Sequence, residues 1–600
     1  MPGIYGFCGL DSASAESGIA AMSTAMYLYS HFRQDQVFRD AYVAASRVHL
    51  GKIGMTISPA CDELNNGVWI EGEVYNLAEV VKEAGWAGGS VSNADFPKWI
   101  LYAYRVNQLE AFLNRMDGYF CAALYDPYAR KVLLISDRYG MRMLYWYHRN
   151  GVFAWSGEVK GILALPHVDR TIDKTSLPCF MDLGYLMGEH TWFEHISLIK
   201  PATILEYDIA ANTVAHKYYW TWGEIKQSQL SFDDAVDALY EAFMTSVQRK
   251  FNPDERIGIS LSGGLDSRAI FAAVNKLYPD YEGYAYTFGV PDCDDIEIAK
   301  QVVSRSRWRH EEFHFTSDNW FLPRIQMIWN TDGMQDMKHM HGGEFAAVVA
   351  KQIDVNLNGY LGDVVAGGGW INSMFMGKRA TDKNLDDFYH RYCELSDIAA
   401  KYYTINSREP GLYMSRARRF TNMGTVNILV SLDQRKPFFG NVVLDLALSV
   451  PEQYRLRNSV YSVMLKRYYP SFFKDIPWQK TGKVVGLLKE RTLPERAIAK
   501  VIRETRSLRL FLGAVGPKNY TDYAAWIREE PVSSYLSDLL RHSESVYCDY
   551  TDVDWHEEYL CPHLNNRTWD WSDKVLRAAT IEIYLRRLFG GSFKDILHKT

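Results

Sequence analysis

Residues 262 to 267 read Ser-Gly-Gly-Leu-Asp-Ser, a spacing suited to gripping a pyrophosphate. The two glycines let backbone N–H groups approach phosphate oxygens, where a Cβ would interfere. Asp266 adds a carboxylate that can hold Mg²⁺ against those phosphates. These groups converge only if the six residues form a tight turn between a strand and the start of a helix. The flanking sequence predicts that arrangement. The apolar run Arg256-Ile-Gly-Ile-Ser-Leu261 precedes the turn, and Arg268-Ala-Ile-Phe-Ala-Ala-Val274 follows it, with Ile270, Phe271 and Val274 at helical spacing. No Gly-Lys-Ser/Thr follows the glycines, which excludes a Walker A loop.

The elements that position this loop belong to a long chain. At 600 residues it exceeds a single core, so two or more domains are expected. Hydrophobic residues make up 47% and charged residues 23%, as in an ordinary globular protein. A net charge of -6 with no Lys/Arg block gives no nucleic-acid footprint. The eight cysteines (Cys8, Cys61, Cys121, Cys179, Cys293, Cys393, Cys548 and Cys561) form no Cys-x-x-Cys pair, so neither a zinc site nor a disulfide framework is signalled. No signal peptide and no apolar run of spanning length is apparent, so a reduced, cytoplasmic protein away from membranes is expected.

The first two hundred residues carry short strand-like runs: 67–70, 120–125, 131–136 and 151–155. Turn residues such as Asp126-Pro127 and Asn150-Gly151 separate them. A mostly antiparallel sheet with a few helices fits. The polar, aromatic stretch around 211–230 reads as a connector. From Ser231, which could cap a helix over 235–250, helical patterns dominate. Strand-like runs at 256–261, 282–288 and 355–361 alternate with them, which predicts a parallel sheet covered on both faces. After about residue 380 the chain reads as helix after helix. The expected division is 1–210, a connector over 211–230, and 231–600.

Several motifs line up in order along the chain. Ser262 to Ser267 resembles the PP-loop of ATP pyrophosphatases, which split ATP between its α- and β-phosphates and leave an adenylylated substrate. Gly3-Ile-Tyr-Gly6 is similar to the opening of class II glutamine amidotransferases. Gly72-Glu-Val-Tyr-Asn76, Asp137-Arg-Tyr-Gly140 with Leu144-Tyr145, and Phe153-Ala-Trp-Ser-Gly-Glu158 with Lys160 resemble segments of asparagine synthetases. Asp295-Ile-Glu-Ile-Ala299, Gly359-Tyr-Leu-Gly-Asp363, Arg435-Lys-Pro-Phe438 and Pro477-Trp-Gln-Lys-Thr-Gly482 complete the set. Over roughly residues 1 to 490 the chain resembles the asparagine synthetase superfamily. The resemblance implies an α/β and α+β architecture. A degenerate, glutaminase-like Ntn domain, an αββα sandwich, comes first. A PP-loop ATP pyrophosphatase α/β domain with a helical C-terminal part follows.

The resemblance also implies a site. Leu261, Ser262, Gly263, Gly264, Asp266, Ser267, Phe288 and Gly359 would contact ATP, and Asp266 and Asp363 would ligate Mg²⁺. Tyr360 stands where asparagine synthetases usually carry an acid and where β-lactam and carbapenam synthetases carry Tyr. There it is paired with a Glu some tens of residues on, and Glu394 lies at that separation. A phenol with a pKa near 10 needs such a carboxylate to act as a base near neutral pH. Lys480 matches a lysine that stabilises charge on the adenylate. Tyr360 could also be a core aromatic, and Glu394 a solvent-facing helical acid.

Two departures concern the first domain. Glutamine-using relatives carry Cys after the initiator Met, and here Pro2 has no nucleophilic side chain. Their Asn before Gly-Glu, which helps bind an oxyanion, is replaced by Glu71, whose charge would repel one. Loss of ammonia release is therefore expected, with a substrate-borne amine as nucleophile. Among the ring closures this leaves, a lasso peptide cyclase is the preferred expectation: ATP-dependent isopeptide formation between a peptide's N-terminal amine and an Asp or Glu side chain. Its partners would be the precursor peptide, a leader-binding protein and a leader protease. Trp526, Trp555, Trp569 and Trp571 would suit a peptide-sized substrate. A β-lactam synthetase-like enzyme and an ammonia-dependent asparagine synthetase remain open alternatives.

Overall fold

The computed structural model describes residues 1–53, 58–86, 90–380, 402–486, 519–567 and 569–589. The chain forms two compact units, and neither is a single continuous segment. The first comprises Met1–Ser176, Leu186–Lys226 and Phe375–Ser431; the second comprises Leu177–Tyr185, Gln227–Met374 and Leu432–Thr600.

Among the described residues thirteen strands build the first unit: β1 (Gly3–Cys8), β2 (Arg33–Gln34), β3 (Phe38–Arg39), β4 (Val43–His49), β5 (Ala60–Cys61), β6 (Gly67–Val74), β7 (Gly118–Asp126), β8 (Lys131–Ser136), β9 (Tyr145–Arg149), β10 (Val152–Ser156), β11 (Ile196–Leu198), β12 (Thr203–Asp208) and β13 (Thr213–Tyr218). One sheet runs β11-β9-β10-β1-β4-β2, with β3 also on β4; the other runs β13-β12-β8-β7-β6-β5. Every pairing in both is antiparallel, as the alternating sequence runs predict. Ile4, Cys8, Val43 and Phe153 of the first sheet meet Trp69, Ala123, Val132 and Leu134 of the second in one buried core. Helices α1 (Ser12–Met26) and α5 (Val159–Leu163) pack on the outer face of the first sheet. Helix α3 (Phe96–Arg105) packs on the second sheet, next to α4 (Leu109–Arg115), with α2 (Leu77–Glu83) burying Leu77, Val80 and Val81. The layers are therefore helix, sheet, sheet, helix.

Residues 213–218, expected within a connector, form the outer strand β13. Its pattern gave no period because this edge strand is mostly exposed. The inserted residues 402–430 are stitched to the rest of the unit. Arg418 Nε donates to the Gly140 carbonyl at 2.9 Å, and Arg419 donates to the carbonyls of Leu186 and His190 at 3.1 and 2.7 Å. Asn422 donates to the Met141 carbonyl at 3.0 Å.

The second unit is built on a five-stranded, wholly parallel sheet: β14 (Ile257–Ser260), β15 (Tyr284–Gly289), β16 (Arg309–His314), β17 (Val355–Leu357) and β18 (Asp433–Arg435), in the order β16-β15-β14-β17-β18. The short helix α6 (Ser176–Leu183) contributes Leu177–Leu183 to this unit, and Lys574 and Arg577 donate to the Met181 carbonyl. Helix α7 (Phe232–Lys250) starts three residues before the expected 235, directly after its expected cap: Ser231 Oγ accepts from Asp234 N. Helix α8 (Leu265–Leu277) joins β14 to β15, and α9 (Asp294–Val303) joins β15 to β16. The chain then returns through α10 (Phe321–Asn330) and α11 (Ala346–Val349) to β17, on the other side of β14, and enters α12 (Gly362–Val365). The strand order thus reverses between β14 and β17. The crevice outside the carboxyl ends of such strands is where open α/β sheets bind ligands.

Candidate functional site

The loop Ser262–Ser267 leaves β14 at this switch point and opens α8. Its conformation is fixed by its own hydroxyls. Ser262 N donates to Ser267 Oγ at 3.1 Å, and Gly264 N donates to Ser262 Oγ at 3.2 Å. Leu261, at the strand end, donates its N–H to the Tyr286 carbonyl at 2.8 Å. Asp295, in the first turn of α9, accepts from Gly263 N at 2.9 Å; burial raises its carboxyl above the usual range.

The facing turn follows β17. A Cβ on Gly359 would lie 2.7 Å from Ser267 N, and one on Gly362 would lie 2.6 Å from Asp266 Cγ. Only glycines let this turn press so closely on the loop. Between them Leu361 takes φ 59°, a left-handed conformation uncommon for a residue with a Cβ. This turn brings Asp363 N within 2.8 Å of Asp266 Oδ2, and Tyr461 OH donates to Asp266 Oδ1 at 3.1 Å. Burial first, and Asp363 second, push the Asp266 carboxyl well above its ordinary range. Two carboxyls so placed, one of them buried, form a donor set suited to a divalent cation, which would relieve both their desolvation and their mutual repulsion. The residues fit Mg²⁺.

Lys480 completes the cluster, with Nζ 3.7 Å from Asp363 Oδ2 and the side chain still 54% exposed. It follows Gln479, whose N–H donates to the Gly263 carbonyl at 3.2 Å. Gly263 again needs its missing Cβ, which would meet Gln479 Cβ at 2.6 Å. Arg268 clamps the same region from beneath. Fully buried, it donates to the carbonyls of Gly263 at 3.0 Å, Pro477 at 2.8 Å and Ile476 at 3.3 Å. Burial lowers its pKa to about 10.

Tyr360 is buried. Its ring meets Phe439 edge-on at 5.2 Å, and Lys436 Nζ lies 5.0 Å from its ring centroid. Burial drives its pKa well above that of a free phenol. Glu394 lies outside the described residues. Phe288 ends β15, half-buried, 6.0 Å from His341 between ring centroids. The structure thus gathers Ser262–Ser267, Gly359, Asp363 and Lys480 into one cluster. Arg268, Tyr461 and Lys436 join it although the sequence gave them no role. Asp295 and Lys436 lay in quoted motifs, whereas nothing in the sequence marks Arg268 or Tyr461.

In the first unit the matched segments build structure. Gly72 takes φ 110° against the Tyr119 carbonyl, where an added Cβ would clash, so only glycine fits. Asp137 accepts from the N–H groups of Tyr139, Met141 and Arg142. Glu158, buried, pairs with the Met1 ammonium and with Lys160 at 2.8 Å. Glu71 lies 3.9 Å from Arg142 Nη1. Cys8 is fully buried between the sheets, and burial pushes its thiol well up.

Of the four tryptophans in the C-terminal region, Trp526 and Trp555 are core residues. Trp526 packs near Trp320 at 6.1 Å, and Trp555 stacks on Tyr547 at 4.1 Å. Trp569 is 48% exposed, and Trp571 is half-buried.

Known proteins resemble this chain in both units. A family profile described as a glutamine amidotransferase domain matches residues 1–220, and one described as asparagine synthase matches residues 238–472. The glutamine-hydrolysing asparagine synthetase 3 of Bacillus subtilis strain 168 is 24% identical over 451 residues, covering 67% of this chain and 72% of the relative. The glutamine-hydrolysing asparagine synthetase 1 of the same organism is 20% identical over 580 residues, covering 86% and 84%.

Proposed function

Because the chain belongs to the asparagine synthetase superfamily and is an ATP-dependent, AMP-forming carbon–nitrogen ligase, we propose that the nitrogen it joins arrives on the substrate itself. In this reading the enzyme is a lasso peptide cyclase, closing a macrolactam between a peptide's N-terminal amine and an Asp or Glu side chain. The substrate carboxylate attacks the α-phosphate of ATP, and pyrophosphate leaves. The amine then attacks the acyl carbon, AMP leaves, and the amine proton passes to a base.

The chain's own residues divide this work. The N–H groups of Ser262–Ser267 cradle the phosphates, with Asp295 orienting Gly263. Asp266 and Asp363 would hold Mg²⁺, which supplies charge neutralisation on the departing pyrophosphate. Lys480 steadies negative charge on the adenylate. Tyr360 takes the amine proton, with Glu394 as its partner in the relay, and Lys436 Nζ lies 5.0 Å from its ring centroid.

The observation that carries this reading is the pairing of a buried Tyr360 at the synthetase cluster with a first unit that has Pro2, Glu71 and a buried Cys8 in place of a thiol nucleophile. Ammonia released from glutamine is then not the donor. The names of the relatives favour a second reading, an asparagine synthetase, which Pro2 and Glu71 would make ammonia-dependent.

The deciding experiment supplies ATP, Mg²⁺ and a leader-free precursor peptide, with the leader protease and leader-binding protein as the expected partners. Loss of one water from the peptide with equimolar AMP supports cyclisation. Conversion of aspartate and ammonia to asparagine, with no change in the peptide, overturns it.

A further inference from the structure

The second unit contains a cavity of about 680 Å³ lined by the C-terminal half of α8, the turn between α9 and β16, and residues 468–472. It lies at the other end of α8 from the Ser262–Ser267 loop: the loop opens the helix at Leu265, whereas Asn275 and Lys276 line the cavity.

Three cations face it: Lys276, Arg305 and Arg307. Asp475 takes both terminal nitrogens of Arg305, at 2.8 and 2.6 Å, and Asp280 pairs with Arg307 at 3.1 Å. Among the described residues no carboxylate reaches Lys276. Its Nζ instead lies 4.6, 5.4 and 5.8 Å from the ring centroids of Tyr240, Tyr468 and Tyr469. All three charged side chains that line the cavity are cations; Asp475 and Asp280 each offset one, and Asp237, which accepts from the Tyr468 hydroxyl at 2.8 Å, is itself paired with Arg467, so the cavity stays electropositive. Ser304 and Ser306 add hydroxyls, and Tyr468, Tyr469 and Phe472 add an aromatic wall.

We infer that this cavity binds a nucleotide-sized molecule carrying a phosphate, the phosphate held by Lys276 and Arg307 and the remainder lying along the aromatic wall. Arginine and lysine together with hydroxyls form a phosphate-binding donor set. A volume of this size holds a small organic molecule, far more than a bare inorganic anion requires.

The site is wired to the loop. Arg305 also donates to the Ser471 carbonyl, and the strap that begins there is the one Arg268 grips at Phe472, Ile476 and Pro477. The same Arg268 holds the Gly263 carbonyl. A phosphate held by Lys276 and Arg307 would also draw on the third lining cation, Arg305, in competition with Asp475, and would therefore shift the strap, and through Arg268 the loop.

Equilibrium dialysis with radiolabelled AMP tests this, with the switch-point site filled by α,β-methylene-ATP and Mg²⁺. One further AMP should bind per chain, orthophosphate should compete for it, and the double variant K276M/R307M should weaken it at least tenfold. Both side chains are exposed, and an unchanged melting temperature verifies the variant's fold. AMP should also change the affinity for α,β-methylene-ATP at least threefold in the natural protein and not in the double variant. Absence of saturable AMP binding, or binding indifferent to orthophosphate or to the double variant, overturns the site; an unchanged analogue affinity overturns its link to the loop. These are binding measurements, so they read the same whichever amide the enzyme makes.

Discussion

The backbone N–H of Asp363 donates to the carboxylate of Asp266 at 2.8 Å, so the chain itself holds two acids side by side at the switch point of the sheet. Burial and the neighbouring Asp363 raise the Asp266 carboxyl, which means the folded protein holds this proton more tightly than the unfolded chain. Without Mg²⁺, this group's contribution to stability is fully present below about pH 4, the unfolded value, and is lost as pH rises through the folded value. D266N removes that loss. It should raise the metal-free melting temperature at pH 7 by about 2 °C while lowering AMP formation at least about a hundredfold, on the order of 3 kcal/mol. Calorimetry with and without Mg²⁺ and a coupled AMP assay check both halves.

Tyr360 separates the two chemical steps. Y360F keeps the ring against Phe439 and removes only the hydroxyl. Amide formation should fall by roughly 10²–10⁴-fold, as for loss of a general base, while substrate-dependent ATP–pyrophosphate exchange persists. Equal loss of both activities would assign Tyr360 to packing.

Gly359 tests the close approach of the two turns. A methyl group there meets backbone, Ser267 N at 2.7 Å, and backbone cannot swing aside as a flexible side chain does. G359A should raise the KM for ATP about tenfold or more by displacing the loop, with far smaller effects from G67A, whose Cβ would make only ordinary contacts, the nearest at 3.5 Å. Steady-state kinetics on the two variants make the comparison.

The first unit should not regain glutamine hydrolysis from one substitution. P2C restores a thiol but leaves Glu71 beside Arg142, and Cys8 remains buried. Glutamate release from glutamine should stay at background in P2C. Measurable hydrolysis by that variant would remove Glu71 as a barrier.

Much of the strand placement was legible because local pattern and tertiary role agree. The loop over 262–267 lies between a strand and a helix as its apolar flanks require, and Ser231 caps α7. Strands β16 and β18 were not legible. β16 reads Arg-His-Glu-Glu-Phe-His, a polar sheet-edge sequence, and β18 has only three residues. At the site, Asp266, Asp363 and Lys480 could be placed because each sits in a motif. Arg268 and Tyr461 could not, since a buried guanidinium or phenol looks, in sequence, like any other residue on an amphipathic helix. The tryptophans show the converse: a cluster of aromatics in sequence carried Trp526 and Trp555 into the core.

Arg418, Arg419 and Asn422 supply donors to carbonyls at Gly140, Leu186, His190 and Met141, across more than two hundred residues of intervening chain. During synthesis those carbonyls emerge first and must wait for their donors. At about 5–20 residues per second the delay is roughly ten to fifty-five seconds. Through that interval the amino-terminal sandwich is an unfinished object, its last hydrogen bonds owed by a segment that the ribosome has yet to release.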